Sequence, residues 1–158
     1  MKSISQEVSD LFSVMHDGGI EHSERNNDTL SFSVEIKYLT DRMEDTDAIH
    51  VTISGFRNTE FVAWMNNGES EAIDDFILEG LDILSAEIEN GKIRADFNNS
   101  DSALAYCGGT LYFDCDSYLI EAPKGTSITL DQIKGVATEY WNDFGNRRQN
   151  QTGYTTRD

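Results

Sequence analysis

The three histidines of the chain are the first residues whose chemistry could serve a site. His16 stands before Asp17 and a Gly-Gly pair, whereas His22 and His50 fall on outward positions of predicted strands. General acid–base catalysis requires a base oriented by a second group and a nucleophile within reach, and no spacing here supplies that set. We therefore expect His16 to lie at the end of a first helix, where a cationic imidazole is favourable.

Motifs that hold cofactors or metals are missing from the chain. It contains no GxSxG, GxxxxGK[ST] or GxGxxG, and neither DRMEDTD nor NNGESEAIDD has the ligand order of a calcium loop. Cys107 and Cys115 lack the spacing of a zinc site, and we expect both thiols to be reduced and buried. Asp114 and Asp116 flank Cys115, and their charges would raise the pKa of its thiol. The sequence predicts no cofactor, no metal and no nucleophilic cysteine.

The strongest compositional signal is acidity. The chain has 29 acidic and 12 basic side chains and a net charge of -17. Such a field repels nucleic-acid phosphates and anionic lipid, and it steers cationic proteins toward the surface. The sequence therefore predicts no direct nucleic-acid binding, no membrane binding and a basic protein partner.

Two segments carry the densest acidic groups and are the predicted partner-binding sites. The first consists of Glu69, Glu71, Asp74, Asp75 and Glu79, and the second of Asp41, Glu44, Asp45 and Asp47. The opening MKSISQEV lacks the apolar core of a signal peptide, so we expect a cytoplasmic location.

The spacing of the hydrophobic residues predicts the helices and strands that position the acidic side chains and the histidines. Residues 3–15 have helical spacing with a capping box from Ser3 to Gln6, and residues 30–38 alternate as a strand with one buried face. Residues 49–53 and 61–65 predict further strands.

Two predicted hairpins follow. Asn90-Gly91 predicts a type I′ turn that sets Glu89 opposite Lys92, Glu87 opposite Arg94, Ile88 opposite Ile93, Ala86 opposite Ala95 and Leu84 opposite Phe97, with the apolar pairs buried. Gly108-Gly109 predicts a second turn, which would set Tyr106 opposite Leu111 and Leu104 opposite Phe113.

A C-terminal helix has the most consistent signals in the chain. Thr129 and Gln132 form a capping box, and Gly145 is placed as the C-terminal cap. Its apolar stripe includes Trp141 and Phe144, which we expect to be core residues.

These elements predict one α+β domain over residues 1–145 with a polar, arginine-bearing tail over 146–158. The sheet is mainly antiparallel, with about seven or eight strands, a short N-terminal helix and a C-terminal helix packed on it.

Four landmarks resemble a widespread family of small bacterial proteins of unknown function. They are the HDG turn at 16–18, the EIKYL strand at 35–39, the ILSAEIENGKI hairpin at 83–93 and the EYWNDF helix end at 139–144. The resemblance implies a shared fold and carries no catalytic residues, and the arginine-bearing tail departs from it.

Three functions remain open from the sequence. The first is a non-enzymatic acidic binding protein, such as an immunity protein or inhibitor of a cationic toxin. The second is an enzyme whose site combines dispersed carboxylates with His16. The third is an inhibitor that mimics the phosphates of DNA, which would need regularly spaced carboxylates on an exposed face.

Overall fold

The computed structural model describes residues 2–44, 46–99 and 105–155, with side chains as far as residue 146. The helices are α1 (Ile4–Val14), α2 (Lys37–Thr40) and α3 (Leu130–Thr155). The strands are β1 (Gly19–Asn26), β2 (Thr29–Glu35), β3 (Ile49–Ser54), β4 (Arg57–Met65), β5 (Ser70–Ala72), β6 (Leu81–Glu89), β7 (Lys92–Asn99), β8 (Tyr106–Asp114) and β9 (Ser117–Glu121).

In the described part of the chain, nine strands form one antiparallel sheet with the order β5-β4-β8-β7-β6-β1-β2-β3-β9. The N-terminal helix and the C-terminal helix pack on it, so the predicted α+β class is confirmed. The count exceeds the predicted seven or eight. One strand that the sequence did not predict is β5, which lies in a segment whose hydrophobic residues follow neither a helical nor a strand period.

The sheet curls around α1. The ring of Phe12 lies 5.5 Å from that of Phe32 on β2, 6.2 Å from Phe97 on β7 and 6.1 Å from Phe113 on β8. Because β2 lies three places from β7 and four from β8 in the sheet order, one side chain can touch all three strands only if the sheet is strongly curved. The apolar face of α1 therefore fills the concave side.

The sheet is nearly divided between β6 and β1. Gly19 and Asp82 are the one residue pair that joins these strands in the described structure. Beyond that pair, no described strand lies on the outer side of β6, and α1 lies along it, with Ser13 Oγ donating to Ala86 O at 3.0 Å. The two halves are β5-β4-β8-β7-β6 and β1-β2-β3-β9.

The Asn90-Gly91 hairpin is confirmed. Glu87 pairs with Arg94 and Ile88 with Ile93. A bulge between Ile83 and Ser85 shifts the register, so Ile83 replaces Leu84 opposite Phe97. The predicted burial of Ile88 is wrong, because it lies beyond the last pair with β1 and is 38% exposed.

The predicted turn at Gly108-Gly109 is wrong. Both glycines lie inside β8, which pairs with β4 on one side and β7 on the other. A Cβ at Gly108 would overlap the ring of Trp64, and one at Gly109 would overlap the ring of Phe61. Glycine is required at both positions because these rings, and at Gly108 also the carbonyl oxygen of Phe97 on β7, lie directly against the strand. The predicted opposition of Tyr106 and Leu111 fails with the turn, and that of Leu104 and Phe113 involves residue 104, outside the described residues.

The EIKYL segment is a strand only at its start. β2 ends at Glu35, and Lys37–Thr40 forms α2. This change of direction lets the Tyr38 hydroxyl donate to His16 O at 2.8 Å, while Ile36 and Leu39 remain buried.

The C-terminal helix begins as predicted and ends later. Gln132 N donates to Thr129 Oγ1 at 3.1 Å and Thr129 N donates to Gln132 Oε1 at 2.7 Å, which is the capping box. Helix α3 passes through Gly145, so that residue is not its C-terminal cap. Trp141 and Phe144 are each 40% exposed and are not core residues. No helix in the described part has both the length and the apolar composition needed to cross a membrane.

Candidate functional site

The first acidic segment forms β5 and the irregular connector to β6. Glu69, Glu71, Asp74 and Asp75 are all exposed. Two contacts attach the connector to the sheet. The ring of Phe76 stacks on that of Phe61 at 5.0 Å, and the Tyr106 hydroxyl donates to Ile77 O at 3.1 Å. The carboxylates therefore stand on a fixed backbone.

Glu79, at the end of this connector, reaches strand β1. The Ser23 N–H donates to Glu79 Oε1 at 3.0 Å, and His22 Nδ1 lies 3.6 Å from the same oxygen. The first acidic segment is thereby joined to the exposed side of β1.

Strand β1 continues the acidic surface toward the second segment. The register shifts between Ile20 and His22, which leaves Glu21 outside the regular pairing with β2. A hydrogen bond between the carboxyls of Glu21 and Glu35 raises the pKa of Glu21, and burial and the charges of Glu35 and Asp47 raise it further. Carboxyls from three elements therefore meet here.

We call the carboxylates linked in this way the acidic belt. It consists of Glu69, Glu71, Asp74, Asp75, Glu79, Glu21, Glu35 and Asp47. Sequence reasoning missed Glu21 and Glu35, because their meeting depends on the β1–β2 register and its bulge. The prediction that His22 lies on a strand was the available signal.

The second predicted segment is only partly joined to the belt. Asp47 belongs to it, whereas Glu44 lines a groove of about 780 Å³ between its loop and α3, with Arg42 beside it. Asp41 is exposed at the end of α2. Asp45 lies outside the described residues.

Several basic side chains form ion pairs away from the belt, whereas the guanidinium of Arg25 lies over the ring of Phe76, 4.7 Å from its centroid, beside the connector. Arg94 makes ion pairs with Glu87, Glu89 and Asp96, and Arg57 pairs with Asp116 at 2.8 Å. Among the described residues, no lysine or arginine forms a salt bridge with a belt carboxylate. Arg25 is thus the basic side chain that the described structure shows beside the connector, and it makes no salt bridge with a belt carboxylate.

A polar depression adjoins the belt on the outer face of β1, β2, β3 and β9. Strand register places His22 opposite Ser33, Ser33 opposite His50 and His50 opposite Glu121, in one row across four strands. Glu24, Ser31 and Thr52 form the next row. We call this the outer-face depression, and its volume is about 350 Å³.

The outward positions predicted for His22 and His50 are those observed. Their alignment with Ser33 and Glu121 could not be predicted from alternation alone, because it depends on which strands are neighbours. Within the described residues, no hydrogen bond joins Ser33 to either imidazole, so the row is not assembled as a nucleophile with its base.

His16 lies in an aromatic cluster away from these carboxylates. Its ring stacks on Trp141 at 5.4 Å with an interplanar angle of 14°, and its Nδ1 lies 2.9 Å from Ser13 O. The ring of Tyr38 lies 6.0 Å away. In the described structure, no carboxylate makes a hydrogen bond or ion pair with the His16 ring.

The four landmarks of the resemblance meet around this cluster. Asp17 N donates to Ile83 O at 2.7 Å, which ties the HDG turn to the hairpin segment, and Tyr38 and Trp141 bring the other two landmarks. Asp17 adopts a left-handed backbone with φ 69°. A Cβ at Gly18 would come within 2.6 Å of Val34, so the turn is tightly packed.

The two cysteines differ in environment. Both are free, as expected, but only Cys115 is buried. Burial raises the pKa of Cys115 to about 11, with the charge of Asp116 adding to it. Cys107 is exposed, because its position in β8 faces outward once the predicted turn is absent.

No group of three or more histidine, cysteine or carboxylate side chains in the described part of the chain is arranged to hold a metal ion. Comparison with protein-family models, curated proteins and solved structures gave no match. The resemblance noted from the sequence therefore stays a prediction.

Proposed function

We propose that this chain is a non-enzymatic binding protein whose acidic belt takes a basic protein partner. Its action would be inhibition by occlusion, as an immunity protein neutralises a toxin. The observation that carries the proposal is that, among the described residues, no carboxylate of the acidic belt forms a salt bridge with a lysine or arginine.

Unpaired carboxylates favour binding for an electrostatic reason. A carboxylate already paired within the chain loses that partner when it binds another cation, whereas an unpaired one gains the whole attraction. Complementary charge also accelerates encounter and disfavours acidic competitors. The belt therefore suits a role that requires fast capture of a specific basic surface.

The backbone under the belt supports the same use. Phe76 and Leu78 are 8% and 1% exposed and hold the connector on either side of Ile77. A surface that is fixed before binding loses less conformational entropy on association.

The enzyme reading and the DNA-mimic reading stay predictions. The enzyme reading needs a carboxylate that orients the His16 ring, and that ring stacks on Trp141 instead. The DNA-mimic reading needs regularly spaced carboxylates. The belt carboxylates lie on a strand edge, an irregular connector and a bulge, which do not repeat at a regular spacing.

The proposal can be tested by partner capture with matched charge variants. The belt variant carries E69Q, E71Q, D74N and D75N, and the control carries E87Q, D116N, D131N and E139Q, which removes the same charge from exposed positions on other elements. Wild type and control should retain one basic protein from cells that produce this chain, and the belt variant should lose it.

The second step asks what capture does. If the captured protein is toxic when expressed alone, coexpression of wild type should restore growth and the belt variant should not. Capture of an acidic protein, or equal capture by belt and control variants, would contradict the proposal.

A further inference from the structure

Strand β5 is the last strand at one end of the sheet, and its hydrogen bonds fix which of its peptide groups face β4. Met65 N donates to Glu69 O at 2.8 Å, and Ile73 N donates to Phe61 O at 2.9 Å. Alternate residues of an antiparallel strand bond the same neighbour, so Glu71, halfway between, also faces β4. The two residues between these three therefore direct their N–H and C=O groups away from the sheet.

These outward residues are Ser70 and Ala72. Both are exposed, and the described structure shows no hydrogen bond to their peptide groups on the outer side. The opposite end of the sheet differs, because the chain folds back along the end of β9, where Ile128 N donates to Ile120 O at 2.8 Å. Strand β5 therefore offers an open edge that an extended chain can extend by pairing.

The side chains along this edge decide which chain can pair there. Glu69 and Glu71 lie two positions apart, on the same face of β5, and Asp74 and Asp75 are exposed just beyond it. Opposite charges directly across a strand pair stabilise the pair, and like charges destabilise it. The edge would therefore repel a second copy of β5, whereas it attracts a strand with basic side chains at alternate positions.

We propose that the basic partner adds an extended segment to β5 as a further antiparallel strand, with lysine or arginine side chains opposite Glu69 and Glu71. This inference rests on the proposed function and names how the acidic belt holds its partner. Main-chain hydrogen bonds to Ser70 and Ala72 provide the pairing, and the alternate basic side chains provide the specificity.

The test uses short peptides, so it needs no captured partner. The probe is acetyl-VTKTKTV-amide, whose two lysines share one face of an extended chain and fall opposite Glu71 and Glu69 in the antiparallel register. Titration into ¹⁵N-labelled wild type should give saturable NMR shifts at residues 69–73. Amide hydrogen exchange should slow at Ser70 and Ala72, while that of Glu71, already bonded to β4, should stay the same.

Matched peptides separate the charge pattern from charge alone. The peptide VTTKKTV has the same composition but places its lysines on opposite faces, so it should bind about fivefold weaker. The acidic peptide VTETETV should not bind. N-methylation of the second and fourth residues of the probe removes the N–H groups that face Ala72 and Ser70, and should abolish the shifts. N-methylation of the two lysines, whose N–H groups point away from β5, should keep them.

Variants of the protein test the same edge. Ala72→Pro removes an outward N–H and no bond to β4, so it should weaken probe binding about tenfold while the other amide signals keep their positions. E69Q/E71Q should also weaken binding, whereas E87Q/E139Q, which removes the same charge from exposed positions on other elements, should not. If Ala72→Pro does not fold, the methylated peptides decide the question on wild type.

Two results would overturn the edge: no saturable shift at residues 69–73 with the probe, or equal binding by the peptide methylated on its threonines. Failure here is separable from failure of the proposed function. Partner capture that the belt variant loses and a folded A72P retains would leave the proposed function standing and remove the edge. Probe binding that requires the edge, with no basic protein captured from cells, would leave the edge standing and remove the proposed function.

Discussion

At the residue scale, Trp141 is an aromatic side chain that its neighbours cover only in part. Its ring stacks on His16 and lies 5.6 Å from Tyr38, 4.9 Å from Tyr140 and 5.7 Å from Phe144, yet the residue is 40% exposed. Phe12, by contrast, is fully buried among three aromatic rings. The two residues should therefore contribute differently to stability.

We expect Trp141→Ala to lower the free energy of unfolding by about 1–2 kcal/mol, because a half-exposed ring loses fewer contacts than a core ring. Phe12→Ala should cost about 3–5 kcal/mol. Urea denaturation followed by circular dichroism measures both. Equal losses for the two variants would mean that Trp141 is a core anchor after all.

The cysteines allow a direct check of burial. Because Cys115 is buried and its pKa is raised to about 11, its thiolate is scarce at pH 8. Cys107 is exposed, with its thiol donating to Trp64 O at 3.1 Å. A thiol reagent such as DTNB should titrate Cys107 in the native protein and Cys115 only after denaturant is added. Rapid native labelling in a C107S variant would contradict this.

At the element scale, Asp10 joins α1 to α3. Its Oδ2 accepts from Lys2 at 2.7 Å and from Lys134 at 3.0 Å, and its Oδ1 accepts from Gln6 at 3.0 Å. Burial alone would raise the pKa of Asp10, but these three hydrogen bonds outweigh it and lower the pKa from 3.8 to about 2. The ionised form is thus the one the fold stabilises.

A lowered pKa gives stability that is present above the unfolded value and lost as the pH falls toward the folded value. Asp10→Asn should therefore cost about 1 kcal/mol at pH 7, a modest figure because Lys2 is largely exposed. The difference between variant and wild type should be the same at pH 7 and pH 5.5 and should shrink by pH 3. Urea melts at the three pH values measure it, and a constant difference would refute the assignment.

The elements predicted correctly share a local cause. The Asn90-Gly91 turn and the Thr129 capping box are specified by residues adjacent in sequence, and both occur as predicted. The wrong predictions involve distant partners. In the sequence, Gly108 and Gly109 have the pattern of a turn. In the fold, the rings of Trp64 and Phe61 on β4 pack against these two positions.

The end of β2 shows the same limit. Alternation continues through Tyr38, and nothing local stops the strand, but the Tyr38 hydroxyl donates to the carbonyl of His16 in the HDG turn. Such a contact forms only after α1 and β2 have packed, so the sequence pattern cannot contain it.

At the scale of the whole molecule, charge is predictable and its arrangement is not. The composition alone gives -17, and the first acidic segment lies exposed as expected. The convergence of Glu21, Glu35 and Asp47 depends on a bulge and on the neighbours of β1. The same holds for the row from His22 to Glu121, which four strands assemble.

The whole-molecule charge also sets how binding should depend on salt. A basic partner is attracted before contact, so its association rate should be high at low ionic strength. Raising the salt from about 0.01 M to about 0.15 M shortens the screening length from about 30 Å to about 8 Å. The on-rate should then fall steeply while the off-rate changes little, because short contacts are screened less than long-range attraction.

Neutralising Glu69, Glu71, Asp74 and Asp75 together should reproduce that fall at low salt, and the control with four distant carboxylates neutralised should have a smaller effect. Neither variant should lose much stability, since exposed carboxylates contribute little to folding. Stopped-flow association with the captured partner measures both rates. The on-rate could instead be unchanged both by salt and by the four belt substitutions. Long-range attraction to the belt would then not drive capture, and short-range contacts elsewhere on the surface must do so.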